Sequence, residues 1–212
     1  MEDEKKFSLL SPELEALAEA EEAADAAAKE VIDNMKPGDV LGEVTSVNIA
    51  AKKGARKTPI DSGQMEVKED FGCVGDAHGS SEWHRQISIL AEESIKKAQN
   101  RGLDVKEGDF AENITTRGFM PFFIPIGTVL QIGDVQVEIS QIGKVCHTRC
   151  AIYYLAGDCI FPREGIFGVV CDDGVIKVGD KITVVKVGDG QCAKTPQEAI
   201  DEVEAARAAG TL

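Results

Sequence analysis

The sequence predicts a mainly β protein of the α+β type, a β-barrel with one central helix and with appended helices at both ends of the chain. Short segments that alternate apolar and polar residues recur from Val40 onward. Turn residues such as Gly133-Asp134 separate these segments at short intervals. One helical pattern lies in the middle of the chain, and one lies at each end. Many short strands with few helices are typical of a barrel with helical additions.

The composition argues against several classes of function. The 212 residues carry a formal net charge of −14, whereas nucleic acids and anionic membranes favour a basic surface. No segment approaches the roughly 18–20 apolar residues of a spanning helix, and the acidic start does not resemble a signal peptide. We therefore expect no nucleic-acid partner, no membrane partner and a cytoplasmic protein whose six cysteines are thiols.

Residues 1–37 are predicted to form an acidic helical extension. Ser11 is placed to cap a helix with Pro12 in its first position, and alanine and glutamate then dominate as far as Glu30. Pro37-Gly38 ends this pattern. The apolar stripe is thin, which leaves two interpretations: an accessory helix on the surface, or an arm that docks a partner protein.

The barrel domain is predicted over residues 38–188. Val40–Ile49 alternates as a strand, residues 67–74 are a second strand candidate, and Ser88 is placed to cap a helix that runs to about Asn100. Further strand patterns follow over residues 108–116, 124–139, 166–171 and 181–187.

The last segment, residues 189–212, predicts a C-terminal helix. Thr195 is the expected cap, Pro196 occupies the first helical position, and Gly210 follows the end of the pattern.

A basic loop stands out in this acidic chain. Residues 52–59 contain four cations and a glycine, and the cations include Lys53, Arg56 and Lys57. Ammonium groups and free backbone N–H groups in such a loop hold phosphates. A solvated hairpin loop explains the same residues equally well, so both interpretations remain open.

The densest reactive chemistry lies in residues 141–150. Cys146 and Cys150 are candidate reactive thiols, and Lys144, His147 and Arg149 surround Cys146 with positive charge. Nearby cations lower the pKa of a thiol and favour its thiolate. A thiolate carries sulfur as a persulfide, attacks an electrophile or binds a soft metal. Two buried structural cysteines are the alternative.

Zinc is not favoured at this position. Cys146 and Cys150 are spaced C-x3-C, whereas structural zinc sites use C-x2-C or C-x4-C pairs and need four ligands. The three histidines of the chain, His78, His84 and His147, indicate a site if the fold brings them together. A single histidine is more often structural.

Several separated segments resemble the MOSC domain family, named for the C-terminal domain of molybdenum-cofactor sulfurase. The resemblance covers about residues 40–186 and rests on the number and order of its segments. They are Lys-Lys-Gly-Ala-Arg-Lys (52–57), Gly-Asp-Ala-His-Gly (75–79), His-Arg-Gln-Ile-Ser (84–88), Gly-Asp-Phe-Ala-Glu-Asn-Ile (108–114), Pro-Ile-Gly-Thr (125–128), Gly-Lys-Val-Cys-His (143–147) and Pro-Arg-Glu-Gly-Ile-Phe (162–167). The resemblance implies a barrel-like fold, molybdenum cofactor (molybdopterin) as the ligand, and a cysteine that carries sulfur or ligates molybdenum.

By motif position, Cys146 matches the cysteine of the family, and it is also the candidate molybdenum ligand. Cys150 is a second candidate, and His147, or His84 from across the pocket, is expected to move a proton. Charge and motif position predict cofactor contacts from Lys53, Arg56, Lys57, His78, Arg85, Asn113, Lys144, Arg149 and Arg163.

These features favour an accessory protein of molybdenum-cofactor metabolism that binds the pterin and handles or delivers sulfur. Its expected partner is a molybdoenzyme or a cofactor-biosynthesis protein. The chain is too short for the pyridoxal-phosphate sulfurase domain of the eukaryotic enzyme, so we do not expect it to take sulfur from free cysteine by that route. Two alternatives stay open: a molybdenum-dependent reductase or detoxification enzyme, and a non-catalytic adaptor for a molybdoenzyme.

Overall fold

The computed structural model describes residues 11–146, 153–154 and 159–212. Its strands are β1 (Val40–Ile49), β2 (Thr58–Pro59), β3 (Gln64–Lys68), β4 (Gly72–Cys73), β5 (Ile87–Ala91), β6 (Ile114–Arg117), β7 (Val129–Ile132), β8 (Val135–Ile142), β9 (Ile166–Val170), β10 (Gly174–Lys177) and β11 (Lys181–Lys186). The helices are α1 (Pro12–Asp33), α2 (Glu92–Asn100), α3 (Phe161–Glu164) and α4 (Gln197–Ala208), with a 3-10 turn at Pro121–Phe123. His147, Arg149 and Cys150 lie outside the described residues.

Seven of the described strands close into a barrel. They pair in the order β11-β7-β8-β9-β5-β6-β1, and β1 then pairs with β11. Only β5 and β6 run parallel within this ring, with Ile89 opposite Ile114. The strands β10, β3 and β4 form a separate small sheet. The predicted fold class, a mainly β barrel with appended helices, is confirmed.

Branched aliphatic side chains fill the barrel. Ile87, Ile89, Leu130, Ile139 and Ile166 are all fully buried in one core cluster. Truncating such a side chain to alanine costs about 2–5 kcal/mol, since the packed interior closes the cavity only in part. The loops that build the site therefore extend from a closely packed barrel.

The central helix α2 begins at Glu92, so the predicted cap at Ser88 is wrong. Ser88 lies in β5, which is buried along its whole length and pairs with both β6 and β9. This sheet pairing overrides the local capping signal. Glu92 and Glu93, in the first turn of α2, instead accept hydrogen bonds from the Arg117 side chain and the Gly118 N–H.

The single strand predicted over residues 67–74 is a hairpin. β3 and β4 pair antiparallel, with Val67 opposite Cys73. Asp70 adopts a positive φ of 51° in the turn between them, which a short polar side chain tolerates better than a bulky one.

Helix α1 begins as predicted, with Ser11 accepting a hydrogen bond from the Leu14 N–H and Pro12 in the first turn. It is anchored to α2 through the largely buried Lys97 ammonium group, which lies 2.7 Å from Asp25 of α1 and 3.0 Å from Glu164 of α3. Ion pairs thus link α1, α2 and α3.

The C-terminal helix α4 begins one residue later than predicted. Thr195 does not cap it, because its hydroxyl donates to the Ser140 carbonyl of β8 at 2.8 Å. Pro196 takes the cap position without a side-chain hydrogen bond. Across the described ranges, the helices include none that combines the length and the apolar character needed to cross a membrane.

Candidate functional site

The segments that connect the barrel strands enclose a cavity of about 370 Å³, here called the basic cavity. This volume falls in the range of roughly 300–1,000 Å³ that is usual for small-molecule sites. Its walls come from the loop after β1, the connection between β4 and β5, β5 itself, the segment before β6, the segment after β8, α3 and β9. They consist of Lys53, Lys57, His78, Ser80, Trp83, Arg85, Ser88, Ala111, Asn113, Lys144, Phe161 and Phe167.

Arg85 lies between two aromatic rings of this cavity. Its guanidinium carbon is 4.6 Å from the centre of the Trp83 ring and 5.4 Å from that of Phe167. Burial lowers the pKa of Arg85, while the Glu202 carboxylate and the Cys146 thiol act in the opposite direction. The Arg85 Nε atom is buried and has no hydrogen-bond partner among the described residues. A buried donor without an acceptor costs about 1–3 kcal/mol, so an anionic ligand that reached it would be stabilised.

Two lysines add to the positive charge of the basic cavity. Lys53 is exposed in the loop after β1, and the Lys144 ammonium group lies 5.4 Å from the centre of the Phe161 ring. Within residues 11–146, 153–154 and 159–212, no carboxylate forms an ion pair with Lys53, Arg85 or Lys144. Three cations therefore converge on one cavity of an acidic protein, which favours an anion there.

Lys57 also lines the cavity, but its charge is matched by a buried carboxylate. Its ammonium group lies 2.9 Å from Asp76, and both side chains are only 2% exposed. Burial would raise the pKa of Asp76, but the hydrogen bond to His78 and the charge of Lys57 outweigh burial and hold that pKa well below its usual range. Asp76 also accepts the Ala50 N–H at 3.0 Å, so this pair holds the basic loop against the barrel.

Asn113 is fixed in the cavity wall by hydrogen bonds to buried strands. Its Oδ1 accepts from the Ser88 N–H at 3.1 Å, and its Nδ2 donates to the Asn48 carbonyl at 3.2 Å. The neighbouring Ala111 has a positive φ of 67°, an uncommon conformation for a residue with a Cβ. The Ser88 hydroxyl lies 3.3 Å from the Ala111 carbonyl and helps to hold it there.

Glu112, between Ala111 and Asn113, points away from the cavity into the protein. Its Oε1 accepts the Gly108 N–H at 2.5 Å and the Thr115 hydroxyl at 3.1 Å, whereas its Oε2 is buried without a partner in the described part of the chain. Burial raises the pKa of Glu112 to about 7, although these hydrogen bonds act to lower it.

Gly108 brings this segment against the basic loop. It has a φ of +85°, and a Cβ there would lie 2.3 Å from the Lys57 carbonyl oxygen. The Gly108 carbonyl accepts the Lys57 N–H at 2.9 Å. Only glycine combines that backbone conformation with so close an approach.

A second cavity, of about 520 Å³, is here called the cysteine cavity. It is lined by Val145, Cys146, Tyr153, Cys159, Pro162, Arg163, Ala206, Gly210, Thr211 and Leu212. Cys146 is exposed, and none of the five described cysteines is in a disulfide.

The two cavities share a wall. Lys144 and Phe161 line the basic cavity, and Cys146 and Pro162 line the cysteine cavity a residue or two further along each segment. The two segments are joined by a hydrogen bond of 3.0 Å from the Lys144 N–H to the Pro162 carbonyl. An exposed thiol therefore lies one wall away from a cluster of cations.

The structure brings six of the predicted cofactor contacts together around the basic cavity: Lys53, Lys57, His78, Arg85, Asn113 and Lys144. Cys146 and Arg163 line the cysteine cavity instead. Arg56 lines neither cavity and lies 3.2 Å from Asp109. His147, Arg149 and Cys150 lie outside the described residues, so their roles stay predictions.

His84 is buried and lines neither cavity. Its Nε2 is 2.6 Å from Gln141 Oε1, and burial lowers the pKa of its imidazole. The His84 ring packs beside the Trp83 ring, and the two ring centres are 5.1 Å apart. The predicted proton transfer by His84 remains a prediction.

The aromatic residues of the basic cavity, Trp83, Phe161 and Phe167, were not among the predicted site residues. Trp83 is the only tryptophan of the chain and directly precedes the His-Arg segment, a signal that could have identified it. Phe161 and Phe167 flank the Pro-Arg-Glu-Gly-Ile segment in the same way. As for metals, no group of three or more His, Cys, Asp or Glu side chains able to hold an ion occurs in the described part of the chain.

Comparison with known proteins adds sequence and fold similarity to this geometry. The family model of the MOSC domain matches residues 74–183, more than half of the chain. No curated protein matches the chain.

Among solved structures, the YUAD protein from Bacillus subtilis is similar, with a TM-score of 0.55 and 16% identity over 68% of this chain and 94% of that one. YiiM from Escherichia coli has a TM-score of 0.52 and 14% identity over 81% of this chain and 93% of that one. A protein described as hypothetical has a TM-score of 0.57 and 15% identity, covering 81% of this chain and 91% of its own. At these identities the similarity shows the fold alone.

Proposed function

Because the chain belongs to the MOSC domain family, we propose that it binds the phosphorylated pterin of the molybdenum cofactor in the basic cavity and handles sulfur, or ligates the metal, through Cys146. The observation that carries this proposal is the cation cluster of Arg85, Lys53 and Lys144, which lies one wall away from an exposed thiol.

The residues present fit such a ligand. The buried Nε of Arg85 lacks an acceptor among the described residues, which a phosphate oxygen would supply. Trp83, whose side chain is exposed, offers a flat apolar surface to a heteroaromatic ring, and hydrogen bonds hold the amide of Asn113 in the same cavity wall. When bound, the cofactor would supply redox and sulfur-binding chemistry at molybdenum.

The role we propose for Cys146 is that of a sulfur acceptor. Its thiolate attacks the outer sulfur of a donor persulfide, R–S–SH, which gives Cys146–S–SH and releases the donor thiolate RS⁻. Lys144 lies two residues from Cys146 in the wall between the two cavities, and the charge of Cys146 acts to raise the pKa of Arg85, although burial lowers it more. A molybdoenzyme or a cofactor-biosynthesis protein would be the recipient.

Replacing Arg85 by methionine is expected to weaken the binding of a phosphorylated pterin by about 10–100-fold, because a charged hydrogen bond to a buried donor is worth about 1.5–3 kcal/mol. Isothermal titration at low ionic strength measures the change. Arg56→Met is the matched control, since that cation lies outside the cavity and pairs with Asp109. Equal losses in the two variants, with both folded, would contradict the proposed binding site.

Replacing Cys146 by serine is expected to reduce sulfur uptake from a persulfide donor at least about tenfold, because the hydroxyl is not a sulfur nucleophile near neutral pH. Anaerobic mass spectrometry follows the gain of about 32 Da, one sulfur atom. Cys171→Ser serves as the control, since burial raises the pKa of the Cys171 thiol. Unchanged uptake by the Cys146 variant would rule out this residue as the acceptor.

A further inference from the structure

We infer that Cys159 is the resolving thiol of the same site: it attacks the Cys146 persulfide, forms a Cys146–Cys159 disulfide and releases the carried sulfur as hydrosulfide. This inference rests on the proposed function and names a second reactive residue for it. The observation behind it is that both thiols line the cysteine cavity.

The two cysteines lie on two segments of the chain that line the same cavity. Cys146 follows the end of β8, and Cys159 directly precedes α3. The segments that carry them are joined by the hydrogen bond from Lys144 to Pro162 and by a second one of 2.7 Å from Gly143 to Gly165. A Cβ on Gly143, whose φ is +74°, would lie 2.4 Å from the Pro162 carbonyl oxygen, so glycine permits this close approach.

The other described cysteines do not suit this role. Cys73 is fully buried, and burial raises the pKa of its thiol to about 12. Burial also raises the pKa of Cys171, Cys192 is buried, and none of the three lines the cysteine cavity. Cys146 is exposed and Cys159 half-buried, and both residues line the cysteine cavity.

The cavity also suits the product of the reaction. Its volume of about 520 Å³ leaves room for a persulfide, and Arg163 lines the same wall as Pro162. A guanidinium group there favours the anionic sulfur species that form and leave during the exchange.

The step balances without a further oxidant. Cys159 loses its proton to water, and its thiolate attacks the Cys146 sulfur: Cys146–S–SH + Cys159–S⁻ → Cys146–S–S–Cys159 + HS⁻. The outer sulfur is reduced by two electrons to hydrosulfide, and the two cysteine thiols are oxidised to a disulfide. A dithiol reductant then returns the pair to the thiol state.

The test loads the full-length protein anaerobically with inorganic polysulfide, removes the excess, and follows released sulfide and the mass of each cysteine peptide. We expect the wild type to release sulfide and to yield a 146–159 disulfide-linked peptide. Cys159→Ser is expected to retain the added mass of about 32 Da on Cys146 and to release sulfide at least about tenfold more slowly. Cys159→Ala repeats the measurement in case the serine variant folds poorly, and Cys171→Ser is the unaffected control.

The outcomes separate this inference from the proposed function. If Cys146 gains no sulfur at all, both fail. If Cys146 is persulfidated but both Cys159 variants release sulfide at the wild-type rate, the inference alone is overturned. A disulfide from Cys146 to Cys150, abolished by Cys150→Ser, would likewise overturn it.

Discussion

Replacing Asp76 by asparagine is expected to destabilise the protein by about 3–5 kcal/mol, because it leaves the Lys57 ammonium group buried without its counter-charge. Asp76 also accepts a hydrogen bond from the Ala50 N–H and forms one with the His78 ring. The substitution is therefore expected to loosen the basic loop at the cavity wall. Urea unfolding of the wild type and the variant at neutral pH gives the free energy of unfolding directly.

The matched control is Asp33→Asn, which breaks the exposed pair with Lys29 in α1 and is expected to cost at most about 0.5 kcal/mol.

The contribution of Asp76 to stability also has a defined pH dependence. Its folded-state pKa lies below its unfolded value, so its stabilisation is present above pH 3.8 and is lost as the pH falls through the folded pKa. A loss below about 1 kcal/mol on Asp76→Asn would show that Lys57 does not depend on this carboxylate.

The free energy of unfolding of the wild type is expected to fall by about 3 kcal/mol as the pH rises, because of Glu112. Replacing Glu112 by glutamine is expected to remove this fall. Burial raises the pKa of Glu112 from 4.5 to about 7, so the unfolded chain releases this proton before the folded protein does. The stabilisation is fully present below about pH 4.5 and is lost as the pH rises to about 7. An amide at this position does not titrate, and its carbonyl oxygen still accepts from Gly108 and Thr115.

Chemical unfolding of the wild type and Glu112→Gln at pH 4 and pH 8 measures this difference, because these values lie on either side of the window. The other titrating groups are shared by the two proteins, so they cancel in the comparison. The control is Glu66→Gln, which replaces an exposed glutamate of β3. The free energy of unfolding of this variant should match that of the wild type at both pH values. Parallel pH profiles for the wild type and Glu112→Gln would show that Glu112 ionises normally in the folded protein.

The sequence predicted much of the barrel because its strands carry strong local patterns. Val40–Ile49 alternates as a strand and forms β1 over the same residues. Ser88 and Thr195 show where local signals fail. Both are good helix caps by residue type. Ser88 nevertheless lies in a central strand, and the Thr195 hydroxyl donates to the Ser140 carbonyl. Partners far away in the chain decided both outcomes.

The same limit applies to the candidate site. Arg56 and Lys57 are adjacent cations in one loop, but Arg56 is half-exposed beside Asp109 and Lys57 is buried against Asp76. Lys144 and Cys146 are two residues apart, but they line different cavities because the chain between them forms part of the shared wall. Residue type indicated a cationic site near a thiol, and only the fold shows which cations line the cavity.

The decisive measurement is anaerobic native mass spectrometry of the full-length protein with one equivalent of molybdenum cofactor. We expect one cofactor per chain in the wild type, sharply reduced occupancy in a combined Arg85→Met and Lys144→Met variant, and wild-type occupancy in Arg56→Met. Full occupancy in the Arg85/Lys144 variant, with its barrel still folded, would show that the cofactor does not bind in the basic cavity.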